Sequence, residues 1–326
     1  MTGSRVDCYA SAGVANTDIF VEAPGAAPPR SRGASRVGLM RDLVALTKPR
    51  ITSIVLVTGA AGACLAPGHV AVRTLLLSLA GTALIVGSAN ALNMWWERDV
   101  DARMTRTRNR PLPAGRMSPD VALAFGLALT VLAAPMLFLV NATTGVLGLV
   151  ALVSYVAIYT PLKRHSHYAL LVGAVPGAMP PLLGWTTATG RVGVGGLLLF
   201  AVLLLWQVPH FAAITIFRAQ DYARAGLQVV SVQRGESGAR RTIAVWTPLL
   251  VGASLLFVPL RLAGNAYLGM ATALGVGFLT LAFRGVLYDL RPTARFDGPR
   301  WARRVFAYSI PYLCVLLVAL LLDRTN

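Results

Sequence analysis

The sequence predicts an all-α, polytopic membrane protein of about nine transmembrane helices, and three observations carry that prediction. Of the 326 residues, 56% are hydrophobic and only 13% charged, against about 25% charged in soluble globular chains. Apolar stretches recur at roughly 20 residues, the length a helix needs to cross a hydrocarbon core. Lys and Arg gather in every second connection between those stretches.

Taken in order, residues 1–37 are rich in Ala, Gly, Pro, Ser and Arg without an apolar period and read as a disordered leader. They lack the apolar centre of a secretory signal, and Asp7, Asp18 and Glu22 argue against a transit peptide. One helical domain, 38–326, follows, with apolar stretches at about 51–66, 73–96, 119–140, 143–159, 168–188, 192–217, 242–262, 266–285 and 305–322. Gly173, Pro176, Gly177, Pro180 and Pro181 mark the fifth for close helix packing or a kink, which neighbouring helices in a membrane tolerate.

The basic residues set the expected topology. Arg98, Arg103, Arg106, Arg108, Arg110 and Arg116 follow the second stretch; Lys163 and Arg164 the fourth; Arg218, Arg224, Arg234, Arg240 and Arg241 the sixth; Arg284, Arg291, Arg295, Arg300, Arg303 and Arg304 the eighth. The other side keeps Arg73, Arg191, Arg261 and Arg324. The positive-inside rule then places the N-terminus and these large loops in the cytosol and the C-terminus outside. A net charge of +17 spread in this way forms no basic stripe with interleaved aromatics, so membrane lipid and not nucleic acid is the expected partner. Cys8, Cys64 and Cys314 are too scattered for a disulfide framework or a zinc site.

Candidate chemistry lies at the cytosolic ends. Asn93, Glu97 and Asp101 recur every four residues and share one face of a continuous helix. Two carboxylates and an amide oxygen suit a magnesium ion that also takes phosphate oxygens; the alternative is a solvated helix end balanced by arginines. The face is expected to line a wet cavity mouth, and Asp99, off it, to pair with a nearby Arg. Arg103, Arg106, Arg108, Asn109 and Arg110 come next, as topology signals or as guanidinium donors to a diphosphate. Two further loops reach the same level: Arg218, Gln220, Asp221, Tyr222 and Arg224, and Tyr159, Thr160, Pro161, Leu162, Lys163 and Arg164. His210, within an apolar stretch, requires a partner, either a structural hydrogen bond or, more sharply, a haem iron.

Together these segments resemble the UbiA superfamily of intramembrane prenyltransferases, and within it the branch that prenylates haem. The matching pieces run from Leu46-Thr47-Lys48-Pro49-Arg50-Ile51 through the Asn93/Glu97/Asp101 helix into Arg106-Thr107-Arg108-Asn109-Arg110-Pro111-Leu112. They continue with Tyr159-Thr160-Pro161-Leu162-Lys163-Arg164, Pro180-Pro181-Leu182-Leu183-Gly184-Trp185, Trp206-Gln207-Val208-Pro209-His210-Phe211 and Asp221-Tyr222-Ala223-Arg224-Ala225-Gly226. The last two point to the haem branch.

The resemblance implies nine helices around a central, lipid-accessible cavity in a bacterial cytoplasmic membrane. It implies magnesium on Asn93, Glu97, Asp101 and Asp221, with Tyr159 beside them as a catalytic residue. Substrate contacts would come from Lys48, Arg50, Arg106, Arg110, Lys163, Arg164 and His210, and the substrates would be farnesyl diphosphate and haem B. Haem A synthase and oxidase-assembly proteins would be partner candidates, though no motif selects them. Glu97 stands where the family often has Asp, and Gln220 where an acid usually precedes Asp221, so the second metal half-site has one carboxylate fewer. Ser166 and Ala169 likewise replace a common Thr and Asn. A prenyltransferase for a quinone precursor and, from another class, a multispan transporter remain as alternatives; acids at the rim and not at the midplane argue against the transporter.

Overall fold

Among the described residues of the computed structural model, 36–290 and 296–325, the backbone is helical apart from turns and an isolated bridge between Ala263 and Arg324. Most of the expected leader, and Arg291 and Arg295, lie outside the described residues; Arg36 and Val37 already belong to the first helix. The helices are α1 (Arg36–Leu46), α2 (Pro49–Leu65), α3 (Val72–Arg103), α4 (Pro119–Val140), α5 (Ala142–Val153), α6 (Thr160–Leu162), α7 (Ala169–Thr189), α8 (Val194–Phe217), α9 (Ala219–Arg224), α10 (Val230–Gln233), α11 (Gly235–Leu255), α12 (Asn265–Leu290) and α13 (Gly298–Leu322). A π-helical segment, Ser154–Tyr159, joins α5 to α6.

Each of the nine expected stretches contains a helix. Seven spans, including Ala142–Leu162, are long and apolar enough to cross a membrane, and α1 with α2, bent by 46°, gives an eighth if the pair is one span. The ninth, α11, falls short because Arg240 and Arg241 enter its first turns. It also begins earlier than the apolar stretch at 242–262 and ends sooner, at Leu255, before a turn in which Arg261 takes a φ of 55°. Charged residues carry a helix on without contributing to an apolar signal, which explains the offset.

The helices pack in sequence order: α3 on α4, α4 on α5, α5 on α7, α7 on α8, α8 on α11, α11 on α12 and α12 on α13, while α2 packs on α7 and meets α13. Glycine brings α2 and α7 backbone to backbone. A Cβ on Gly184 would sit 1.8 Å from the Gly59 carbonyl oxygen, and one on Gly62 2.1 Å from that of Pro181. Small residues allow such approaches between membrane helices, where packing and not hydrophobic exclusion drives association. The largest buried cluster joins α8, α11, α12 and α13 through Leu250, Tyr267, Phe278, Val305 and Tyr312. Its phenols are satisfied: Tyr267 Oη donates to the Ser254 carbonyl at 2.7 Å, and Tyr312 Oη meets Ser254 Oγ at 3.0 Å. Thr58, Pro181, Leu203, Phe257 and Leu316 wall an apolar cavity between α2, α7, α8 and α13.

Candidate active site

Helix α3 continues without a break to Arg103, so Asn93, Glu97 and Asp101 do share a face. The face is buried, at 3%, 4% and 4% exposure, and does not line an open mouth as expected. Two covers explain the difference. The turn after α6 lays Lys163 on Glu97 Oε2, and the loop after α3 folds back so that Arg110 Nη1 reaches Asp101 Oδ2 at 2.6 Å. That loop is pinned by Thr107 Oγ1, which donates to the Asp101 carbonyl at 2.8 Å, and by Leu112 and Met117, which pack with Leu46, Ala91 and Met94. Asp99 is exposed and forms no ion pair with any described residue, contrary to its expected pairing.

The amide of Asn93 is held from two sides. Its Nδ2 donates to Glu97 Oε2 at 2.9 Å and to Thr160 Oγ1 at 3.0 Å, and Thr160 Oγ1 donates in turn to the Tyr155 carbonyl at 2.8 Å. The π-helical segment presents that carbonyl, a common use of π-bulges near functional sites. Both bonds of Asn93 use nitrogen, which leaves the amide oxygen as its ligand atom. Tyr159 packs on Tyr155 with ring centres 5.2 Å apart, and Lys163 Nζ lies 5.0 Å from the Tyr159 ring centre. Gly173 makes room for that ring, since a Cβ there would come within 2.5 Å of it.

Five cations converge here. Lys48 sits at the bend between α1 and α2 and feels the charges of Arg106, Arg110 and Asp101, while Lys163 feels Lys48 and Arg164. Burial, then the charges of Lys48 and Arg164, lower the Lys163 ammonium to about 7. Lys48 adopts a left-handed backbone, φ 50° and ψ 66°, immediately before Pro49, a strained combination for a residue with a Cβ. Asn90, one turn before Asn93, braces the bend by donating to the Thr47 carbonyl at 3.3 Å. Arg164 Nε is a buried donor without an acceptor, and Glu97 Oε1 a buried acceptor without a donor.

The remaining expected residues lie further out. Asp221 on α9 accepts the Thr105 N–H at 3.0 Å, just past the end of α3, and Ala225 and Leu227 pack on Val100 and Met104 beneath it. Tyr222, whose phenol is raised by burial, is near Arg106. Arg50 is exposed on the first turn of α2. His210 lies on another wall: its Nδ1 meets Ser309 Oγ of α13 at 2.7 Å, and its ring stacks on Trp206 at 4.5 Å with Phe306 at 4.7 Å. Sequence reasoning missed Asn90, Tyr155 and the brace role of Thr160. The place of Asn90 on the Asn93 face was legible in its spacing; the role of Thr160 depends on the fold of a distant segment.

The donors fit a magnesium ion. All are hard oxygens, one is buried and unpartnered, and magnesium commonly takes one or two carboxylates and completes its shell with phosphate oxygens and water. Among the described residues no three His, Cys, Asp or Glu gather as a metal cage, so the protein offers a partial shell.

An all-helical bundle carrying this acidic and cationic site belongs to the UbiA prenyltransferase family, whose profile matches residues 55–309. Among relatives, protoheme IX farnesyltransferase of Anaeromyxobacter sp. (strain Fw109-5) is 53% identical over 283 residues, 86% of this chain and 93% of that protein. The protoheme IX farnesyltransferase of Myxococcus xanthus (strain DK1622) is 48% identical over 295 residues, 90% and 98% of the two chains. The fold is shared with the solved structure of digeranylgeranylglyceryl phosphate synthase, with a TM-score of 0.74, 15% identity, and coverage of 87% of this chain and 98% of that one. It is also shared with a UbiA homologue from Archaeoglobus fulgidus bound to GPP and Mg2+, with a TM-score of 0.59, 12% identity, and coverage of 86% and 99%.

Proposed function

We propose that this chain transfers the farnesyl group of farnesyl diphosphate to a vinyl group of haem B, with addition of water, and so makes haem O. One observation carries the donor half: Lys48, Arg106, Arg110, Lys163 and Arg164 gather around two buried carboxylates, and that excess of cations over acids suits a polyanion. The unsatisfied Arg164 Nε and Glu97 Oε1 are the groups a diphosphate and its counter-ion would complete. The acceptor half is supported by the named activity of relatives about half identical to this chain.

Asn93, Glu97 and Asp101 would hold magnesium, with Asp221 as a weaker second half-site because Gln220 supplies no charge. Magnesium bound there supplies Lewis-acid neutralisation of the departing diphosphate. Arg110 and Lys163 move from the carboxylates toward phosphate oxygens when both charges arrive, and Lys48, Arg106 and Arg164 complete the anion shell. The allylic C–O bond breaks with its electron pair leaving on diphosphate. Tyr155 and Tyr159 present ring faces to the resulting cation, the haem vinyl π-electrons form the new C–C bond, and water quenches the cation with loss of a proton. His210 faces the haem, Nδ1 tied to Ser309 and Nε2 directed to iron or a propionate. Arg50 attracts the diphosphate from the surface.

The helices from Arg36 onward form the catalytic domain, in the bacterial cytoplasmic membrane. The N-terminus and the active-site loops face the cytosol and the C-terminus the outside. Reporter fusions after Asn326 and within 98–116 therefore report opposite sides, and a shared side would contradict that orientation. The function itself is tested by mass analysis of products when purified protein receives farnesyl diphosphate with haem B and, separately, with an aromatic acid. A hydroxyethylfarnesyl haem is the expected product; a prenylated aromatic acid with unreacted haem would assign the chain to quinone biosynthesis.

A further inference from the structure

Apart from the Asn93 site, the first turns of α11 border a groove of about 400 Å3 whose walls include Arg234, Ser237, Arg241, Thr242, Val245 and Trp246. It lies at the same end of the bundle as the charged site, since the Gln228 N–H donates to the Lys163 carbonyl at 3.1 Å and Arg234 Nη2 to Tyr168 Oη at 3.2 Å. Both arginines are exposed. Arg234 is steadied over the Tyr168 ring at 5.6 Å, whereas Arg241 has no hydrogen bond or ion pair to any described residue. The nearby acid, Glu236, is engaged by Arg240 and does not neutralise either of them.

Below the guanidinium groups the same face of α11 changes character. Exposed positions descend from Arg241 at helical spacing through Val245 and Leu249 to Leu256, the residue just past the helix end; the last three are 61%, 51% and 48% exposed. The opposite side of the helix is buried against α8 and α12 through residues such as Ile243, Leu250 and Val251. Trp246 stands at the junction, where an indole suits the boundary between headgroups and acyl chains. A cationic head that continues into an aliphatic rail on an outward face has the shape and polarity of an anionic amphiphile.

We infer that this groove binds an anionic membrane phospholipid, with its phosphate between Arg234 and Arg241 and an acyl chain along Val245, Leu249 and Leu256. A free anion would use the head and leave the rail idle. Farnesyl diphosphate shares the chemistry, but the rail faces the bilayer, where phospholipid is the bulk component and mass action favours it. The assignment does not depend on which acceptor the enzyme prenylates.

The test is native mass spectrometry of the full-length protein, titrated with dioleoyl phosphatidylglycerol and, in parallel, dioleoyl phosphatidylcholine. Wild type should prefer phosphatidylglycerol, and R234Q/R241Q should bind it roughly thirtyfold more weakly while retaining its phosphatidylcholine adducts. L249N should weaken both lipids, because it interrupts the rail and spares the head. Both arginines are exposed, so the double variant is expected to keep wild-type helicity by circular dichroism. Equal phosphatidylglycerol occupancy in the double variant would overturn the assignment. So would displacement of the lipid by equimolar inorganic phosphate, which would mark a free-anion site, or by equimolar farnesyl diphosphate, which would mark a substrate-holding site.

Discussion

Lys163 and Glu97 form a buried ion pair in which Nζ contacts Oε2 while Oε1 of the same carboxylate has no partner. One carboxylate thus faces a cation of the protein and offers its second oxygen to another. Breaking a buried pair from one side strands a charge, which costs more than removing both partners. Glu97→Gln alone should lower stability by about 1–3 kcal/mol, and Glu97→Gln with Lys163→Gln should recover most of that loss. Thermal unfolding of the two single variants and the double variant measures the coupling. Additive losses would show that the pair is not formed in the membrane.

Thr160 is a positioning residue whose hydroxyl links Asn93 Nδ2 to the π-helical carbonyl of Tyr155. Thr160→Val keeps the shape and removes the link, at a cost of about 1 kcal/mol. The Asn93 amide then keeps only its bond to Glu97 and is less firmly oriented, so the magnesium concentration for half-maximal activity should rise several-fold while maximal turnover falls less. Thr160→Ser should restore the wild-type magnesium dependence. A Val variant whose magnesium dependence is unchanged would make Thr160 a packing residue only.

At the rim, Asp221 Oδ1 accepts the Thr105 N–H, a bond that Asn can also accept through its amide oxygen. Asp221→Asn therefore leaves the loop in place and removes one negative charge. The magnesium requirement should rise more than maximal turnover falls, and saturating magnesium should restore most activity. If it restores none, Asp221 acts otherwise than through the metal.

His210→Ala should alter the absorption spectrum of bound haem or weaken its binding, with diphosphate affinity near that of wild type, because the imidazole lies on the α8 and α13 wall and not among the cations. An unchanged haem spectrum and affinity with full activity would leave His210 as the hydrogen-bond partner of Ser309 and nothing more.

Much of this was legible in the chain. The four-residue spacing of Asn93, Glu97 and Asp101 requires only that α3 run unbroken, and it does. The basic loops, read as diphosphate donors, do bring Arg110 and Lys163 onto those acids. What the spacing could not convey was burial, because half of the cover over the site comes from Lys163 and Thr160, far away in sequence. Nor could it convey the bend at Lys48: a residue before Pro49 is biased to extended conformations, and the left-handed turn there is set by packing around Leu46 and by the Asn90 brace. The span over α11 was offset for the opposite reason, since Arg240 and Arg241 hide a helix that hydropathy alone does not extend.

The proposed chemistry rests on the Asn93, Glu97 and Asp101 face, which would hold magnesium against the departing diphosphate. Its most direct measurement is single-turnover haem O formation by Asp101→Asn and Glu97→Gln at limiting and saturating magnesium, with haem B binding and helicity measured on the same samples. Losing one ligand charge should slow formation by about 100-fold or more, with haem B still bound, and Glu97→Asp should keep partial activity because only reach changes. Near-normal turnover of Asp101→Asn at limiting magnesium would contradict the account and leave these acids as ordinary ion-pair partners of Arg110 and Lys163.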